Sequence, residues 1–291
     1  MRRARPEDSV VSVLALLARP LSRRFGAPPA LQVGAGICLV WILLAALPGF
    51  FAPYDPIVQD LSGALRGPSL SHPLGTDNFG RDVLSRIIWG TRLDLAMGVF
   101  GVFAPFVIGC VVGLVSGYFG RIVDTLLMRL LDVTISFPYF VLVIAIISVL
   151  GPGLKSFFIS VALVGWVSYA RLIRAQTLVL KESEFILAAR CLGYSKTRIM
   201  FRHVLPNAIM PAVVFSMSDV VIVILLGSAL SYLGLGAQPP AAEWGVMIAE
   251  GQVFMATAWW ISFFPGLAIV LLALGFSLVA DGLAERFGVR E

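Results

Sequence analysis

The chain has 291 residues, of which 58% are hydrophobic and 13% charged, and its mean hydropathy is +0.92. A soluble domain carries about 25% charged residues, so this composition excludes a soluble enzyme or binding module and leads to an all-α integral membrane protein. The net charge of +5 does not signify nucleic acid, because the basic residues are distributed as a topology signal rather than as a patch.

Residues 1–30 form a basic tail in which Arg2, Arg3, Arg5, Arg19, Arg23 and Arg24 surround a short apolar run at 10–17. That run is too short to span, so it is expected to lie along the membrane interface. The Ser22-Arg23-Arg24-Phe25 run resembles a twin-arginine signal. Further spans follow it and no cleavage site is evident, so anchoring charge is the better reading.

A spanning helix needs roughly 20 apolar residues, and six segments qualify: 31–50, 93–117, 130–150, 157–180, 208–230 and 257–280. Between the first two lies an external segment, 51–92, rich in Pro, Gly and Asp. Loops this long are functional or poorly ordered. The region 93–280 forms a five-helix core, interrupted by a polar cytoplasmic loop at 181–207, and 281–291 is a second cytoplasmic tail. With both termini inside, 17 of the 22 Lys and Arg face the cytoplasm, and Arg66, Arg81, Arg86, Arg92 and Lys155 face outward. This asymmetry sets the orientation.

Within the spans, Pro105, Pro138 and Pro265 each remove a backbone donor and can kink a helix. Gly98, Gly101, Gly109, Gly113 and Gly117 occur along the second span, four of them four or eight residues apart, a spacing that lets two helices approach closely. Both features suit ordinary packing, and kinked helices around a path would use the same devices. Arg129 and Asp132, three residues apart, are expected to pair locally. Asp124, Arg171 and Arg174 are expected at the cytoplasmic interface, with long side chains reaching water.

Cys38 and Cys110 lie inside expected spans and Cys191 in a loop, and the chain has only two histidines, His72 and His203. No disulfide or metal site is expected from this set, and buried free Cys behaves as a small hydrophobe. The turn at 151–156 reads G-P-G-L-K-S; a phosphate loop requires Gly directly before the Lys, where Leu154 stands. No nucleotide fingerprint exists elsewhere, so the chain is expected to bind no cofactor itself.

The loop 181–207 is unusually ordered for a simple connection. Phe185, Ala188, Ala189 and Leu192 fall at i, i+3, i+4 and i+7, an apolar stripe on a short helix. Gly193 is placed to stop that helix, Ser195 to cap a second, and Pro206 to end it. Deep in the fifth span, Asp219 is an intramembrane charge and therefore a functional candidate. It either lines a path and attracts an ammonium group or pairs with a polar partner in the bundle.

These residues resemble a known family. The inner-membrane subunits of binding-protein-dependent ABC importers carry a cytoplasmic motif of Glu-Ala-Ala, three residues, Gly, nine residues, then Ile-x-Leu-Pro. Ala188, Ala189, Gly193, Leu205 and Pro206 match it at the right spacing, whereas Leu187 stands for the Glu and His203 for the Ile. Glu184, one turn earlier, is a candidate displaced acid. The segment 72–86 (H-P-L-G-T-D-N-F-G-R-D-V-L-S-R) is similar to the C-type subunits of dipeptide and oligopeptide permeases. So are 202–207 (R-H-V-L-P-N), 233–236 (L-G-L-G), Pro239-Pro240 and Glu243-Trp244-Gly245.

The resemblance implies a type I ABC importer permease fold in the inner membrane of a bacterial or archaeal cell. It implies a heterodimer with a second, homologous permease and two cytoplasmic ATPases that bind Mg-ATP and seat the loop 181–207. It also implies an extracytoplasmic solute-binding protein, and peptide as cargo, with nickel chelates or another small solute as the alternative. The chain would then be no enzyme. Asp77, Arg81, Asp82, Glu243 and Trp244, with Glu250, are candidates for a gate or for docking the binding protein. A lipid-held basic loop needs no Gly and Pro at fixed separations, and an ion-driven secondary transporter needs several paired acids or interrupted helices at the midplane. A membrane enzyme would need a clustered nucleophile, base and orienter.

Overall fold

The structure is a computed structural model that describes residues 27–288. The interfacial run at 10–17 and the twin-arginine-like run lie outside the described residues, as do most of the N-terminal tail and residues 289–291.

The described chain is helical, and its one β feature is an isolated bridge between Thr76 and Asp82. Helix α1, Pro29–Ala46, breaks at Leu47 into the single turn α2, Pro48–Phe51. After a folded external segment come α3, Val83–Phe119, then α4, Arg121–Ile135, α5, Tyr139–Leu150, and α6, Leu154–Leu180. The cytoplasmic loop contains α7, Glu184–Cys191, α8, Lys196–Ile199, and α9, Leu205–Ala208. Helix α10, Met210–Tyr232, the short α11, Trp244–Gln252, and α12, Trp260–Phe287, complete the bundle. Among the described residues, five helices are long and apolar enough to cross a membrane, and α4 with α5 makes a bent pair that counts as a sixth if it is one span.

Two spans differ from expectation. The second starts ten residues early: Asp82 caps α3 by accepting the Ser85 N–H, and the 37-residue helix is about 55 Å long at 1.5 Å per residue. A hydrocarbon core is only ~30 Å thick, so its first turns stand outside and carry Arg86 and Arg92 under the external segment. The third span, expected as one helix at 130–150, is two helices meeting at 86° across residues 136–138. Pro138 has no N–H for a helical ladder, and it excludes the helical conformation from the residue before it.

Helices α3 and α6 form the central pair. A Cβ at Gly109 would lie 2.4 Å from the Trp166 carbonyl oxygen, and one at Gly113 would lie 2.4 Å from that of Ala170. Gly98 and Gly101 instead meet Ile224 and Val223 of α10. The glycine series is therefore a packing device, since in lipid close van der Waals contact replaces the hydrophobic drive between helices.

The expected Arg129–Asp132 pair does not form, and both side chains are exposed. Arg174 does not simply reach for water either: its Nε and Nη2 donate to the two oxygens of Asp124 at 2.6 and 2.7 Å, which ties α6 to α4.

Candidate functional site

At the cytoplasmic end, the loop 181–207 has a defined geometry. Helix α7 ends in a double turn in which Gly193 N–H donates to Arg190 O at 3.0 Å and Tyr194 N–H donates to Ala189 O at 3.2 Å. This six-to-one and five-to-two pairing needs a left-handed residue between the helices, and Gly193 supplies it at φ +77°. Ser195 Oγ then accepts the Arg198 N–H and caps α8. The second helix does not end at Pro206. A π turn, Met200–Val204, closes with Leu205 N–H donating to Met200 O, and the widened turn absorbs the proline's missing donor so that winding continues into α9.

Helix α7 divides its apolar residues between two sides. Ile186 and Ala189 are buried against the bundle with Ile199, Met200 and Val204. Phe185, Leu187 and Leu192 are 46%, 43% and 71% exposed, and Ala188 and Glu184 are exposed beside them. The apolar stripe read from spacing thus turns mostly outward, with Ala189 as the exception. Around its base, Arg190 lies over the Tyr118 ring, Lys196 over Phe119, and Arg198 over Tyr194 at 4.1 Å. His203 is half-buried and stacks on Tyr194 at 5.7 Å. Leu205 packs partly inside, and Pro206 is exposed. These contacts fix the loop on the end of α3.

Asp219 lies half-way along α10 and accepts the Tyr169 hydroxyl at 2.7 Å. It also lines a cavity of about 400 Å³ bounded by the α4–α5 break, α6 and α10, with Phe137, Tyr139, Ser168 and Phe215 in its wall. Asp219 thus has a polar partner, and it also borders open space. Tyr169 was not among the sequence candidates, and its only signal is a phenol inside an apolar span.

At the external end, of the residues expected to form a gate or docking surface, Asp77, Arg81, Asp82, Glu243 and Trp244 are buried and Glu250 is half-buried. Asp77 Oδ2 accepts from Arg81 Nε at 2.7 Å and from Arg86 Nη1 at 2.6 Å. Glu250 Oε2, on α11, accepts from the same two arginines at 2.9 and 2.7 Å. Asp82 accepts from Ser85 and pairs with His72 Nδ1 at 2.9 Å. Glu243 caps α11 through the N–H groups of Gly245 and Val246, and burial pushes its carboxyl above the ordinary range. The Trp244 indole donates to Ile87 O at 3.1 Å and packs edge-on to Trp41. Trp260 of α12 donates to Thr76 O at 3.0 Å. The external segment is thus an ordered cap, bolted to α3, α11 and α12.

No cluster of His, Cys, Asp or Glu suited to a metal occurs among the described residues. The model of the binding-protein-dependent transport system inner membrane component matches residues 109–290. The chain belongs to this family.

As a family member it is a multi-pass inner-membrane permease component, and it is not itself catalytic. The dipeptide transport system permease protein of Alkalihalophilus pseudofirmus is 40% identical over 253 residues, 87% of this chain and 83% of that protein. The glutathione transport system permease protein of Escherichia coli O6:K15:H31 is 41% identical over 264 residues, 90% and 87% of the two chains. Among solved structures, the inward-facing MetNI methionine ABC transporter matches with a TM-score of 0.55 at 19% identity, covering 72% of this chain and 97% of that one. That likeness establishes the shared type I importer fold.

Proposed function

We propose that this chain is the C-type permease subunit of an ATP-driven importer of dipeptides and oligopeptides. It works as a heterodimer with a second permease, two cytoplasmic ATPases and an extracytoplasmic binding protein. The observation that carries the reading is α7: a short helix beyond the bilayer, held rigid at its base, that turns Phe185, Leu187, Ala188 and Leu192 outward. An exposed apolar knob at the end of the bundle marks an interaction surface, and a cleft in an ATPase subunit suits it. Gly193 sets the bend between α7 and α8, while Leu205 and Pro206 join the loop to α10.

When the ATPases close, the knob is pulled with them, and the rigid pair α3–α6 carries that movement to the external cap. Asp219 lines the path that opens, and the brace of Asp77, Arg81, Arg86 and Glu250 keeps the outer end in one piece. The peptide class rests on the dipeptide and glutathione relatives, which are about 40% identical over most of the chain.

The test is uptake of a labelled dipeptide by proteoliposomes holding the complete transporter and its binding protein. Uptake should need ATP inside the ATPase compartment and should survive ionophores that collapse ion gradients. Uptake abolished by the ionophores and indifferent to ATP would overturn the proposal in favour of an ion-driven transporter.

A further inference from the structure

The cavity beside Asp219 has a composition of its own. Asp219 forms no ion pair among the described residues, and its single protein donor is the Tyr169 hydroxyl, which occupies Oδ2. An ionised carboxylate has room for about four hydrogen bonds, so most of its capacity is unused by the protein. Tyr169 itself is fully buried and clamped, with the Phe106 ring 5.4 Å away on one side and Phe215 5.1 Å away on the other. Its hydroxyl therefore fixes the carboxylate instead of competing for the cavity. Phe215 lies one helical turn before Asp219 and reaches the same wall, and Phe137 and Tyr139 face it from the α4–α5 break. A carboxylate with free lone pairs, set among aromatic rings in a space of about 400 Å³, has the chemistry that binds an organic cation. The acid supplies charge-assisted hydrogen bonds and the ring faces supply cation–π attraction. The volume falls in the range of small-molecule sites.

We infer that this cavity is a cargo site selective for a primary ammonium group, bound by Asp219 within a cage of Tyr139, Phe137 and Phe215 and with Tyr169 as the positioning residue. The inference rests on the importer reading and deepens it. A peptide's free amino terminus is the group recognised, so cargo is examined a second time inside the membrane after the binding protein releases it. Dipeptides and glutathione, the cargo classes in the relatives' names, both carry such a group.

The test compares uptake of triglycine and N-acetyl-triglycine by proteoliposomes of the whole transporter, each supplied at a concentration that saturates the binding protein. Asp219→Asn should lower triglycine uptake at least tenfold and acetylated uptake less than twofold. Asp219→Glu should recover much of the loss, and size-exclusion chromatography should show both variants assembled in the complete transporter. Equal losses for the two peptides, or no loss, would overturn the inference. An inactive wild type would instead count against the importer reading.

A second measurement does not depend on transport. Benzylammonium should raise the melting temperature of the purified wild-type complex more than benzyl alcohol at equal concentration, and Asp219→Asn should respond equally to both. A variant that keeps the wild-type response to the amine would also overturn the site.

Discussion

Replacing Gly193 by Ala tests the coupling turn with little else disturbed. No heavy atom lies within 4 Å of the position a Cβ would take, so the substitution meets no clash. Its cost is conformational. Gly193 sits at φ +77°, and an L-residue with a Cβ is less stable in the left-handed region by about 1–2 kcal/mol. That lowers the population of the double turn roughly 5- to 30-fold in a freely exchanging loop. Bundle packing of Ile186, Ala189 and Ile199 holds both flanking helices and offsets part of the loss, so the observed effect should fall toward the lower figure. The assay is the ratio of peptide transported to ATP hydrolysed in proteoliposomes, with membrane insertion checked by protease mapping. Ala should lower the ratio several-fold. Asn, which tolerates the left-handed region better, should lie between Gly and Ala, and Pro, which also deletes the N–H that Gly193 donates to Arg190 O, should abolish coupling. An Ala variant with the wild-type ratio, or an Asn variant worse than Ala, would refute the reasoning.

Three further outcomes follow from neighbouring geometry. Ala188→Arg, on the exposed side of α7, should leave a stable complex in detergent that hydrolyses ATP without transport, whereas Ala189→Arg, on the buried side, should lower the yield of folded protein; size-exclusion profiles and ATPase rates separate the two. Arg86→Met leaves Asp77 and Glu250 sharing one arginine in a buried site, and should cost about 3–5 kcal/mol, read as a lower melting temperature that Arg86→Met with Glu250→Gln partly restores. Gly113→Leu would press side-chain atoms into the Ala170 backbone, where even a Cβ comes within 2.4 Å, and should prevent accumulation of the protein, as seen by immunoblot of membranes.

Local pattern carried much of this molecule into view. The glycine steps of α3 announced a close helix contact, because in lipid small residues serve little other purpose. Asp219 stood out because charge inside an apolar span is costly enough to need a reason. Gly193 and Ser195 were legible because left-handed turns and N-caps demand particular residues.

What escaped depended on distant partners. Arg86 and Arg92 looked like loop residues, since nothing nearby shows that Glu250, 164 positions away, would neutralise Arg86 and allow α3 to begin at Val83. Tyr169 is an ordinary aromatic in an apolar run until the fold brings it to Asp219. The stripe on α7 was correctly apolar, but periodicity does not say which side a partner occupies. Pro138 signalled a kink and could not convey an 86° turn, because that angle depends on how α5 packs against α6.

The most direct test of the central claim is affinity purification of the tagged chain from its native membrane, with mass spectrometry of what accompanies it. The account predicts a second permease, cytoplasmic ATPase subunits and a solute-binding protein. Recovery of the chain by itself or as a homodimer, with no ATPase under conditions that keep known transporters intact, would contradict it.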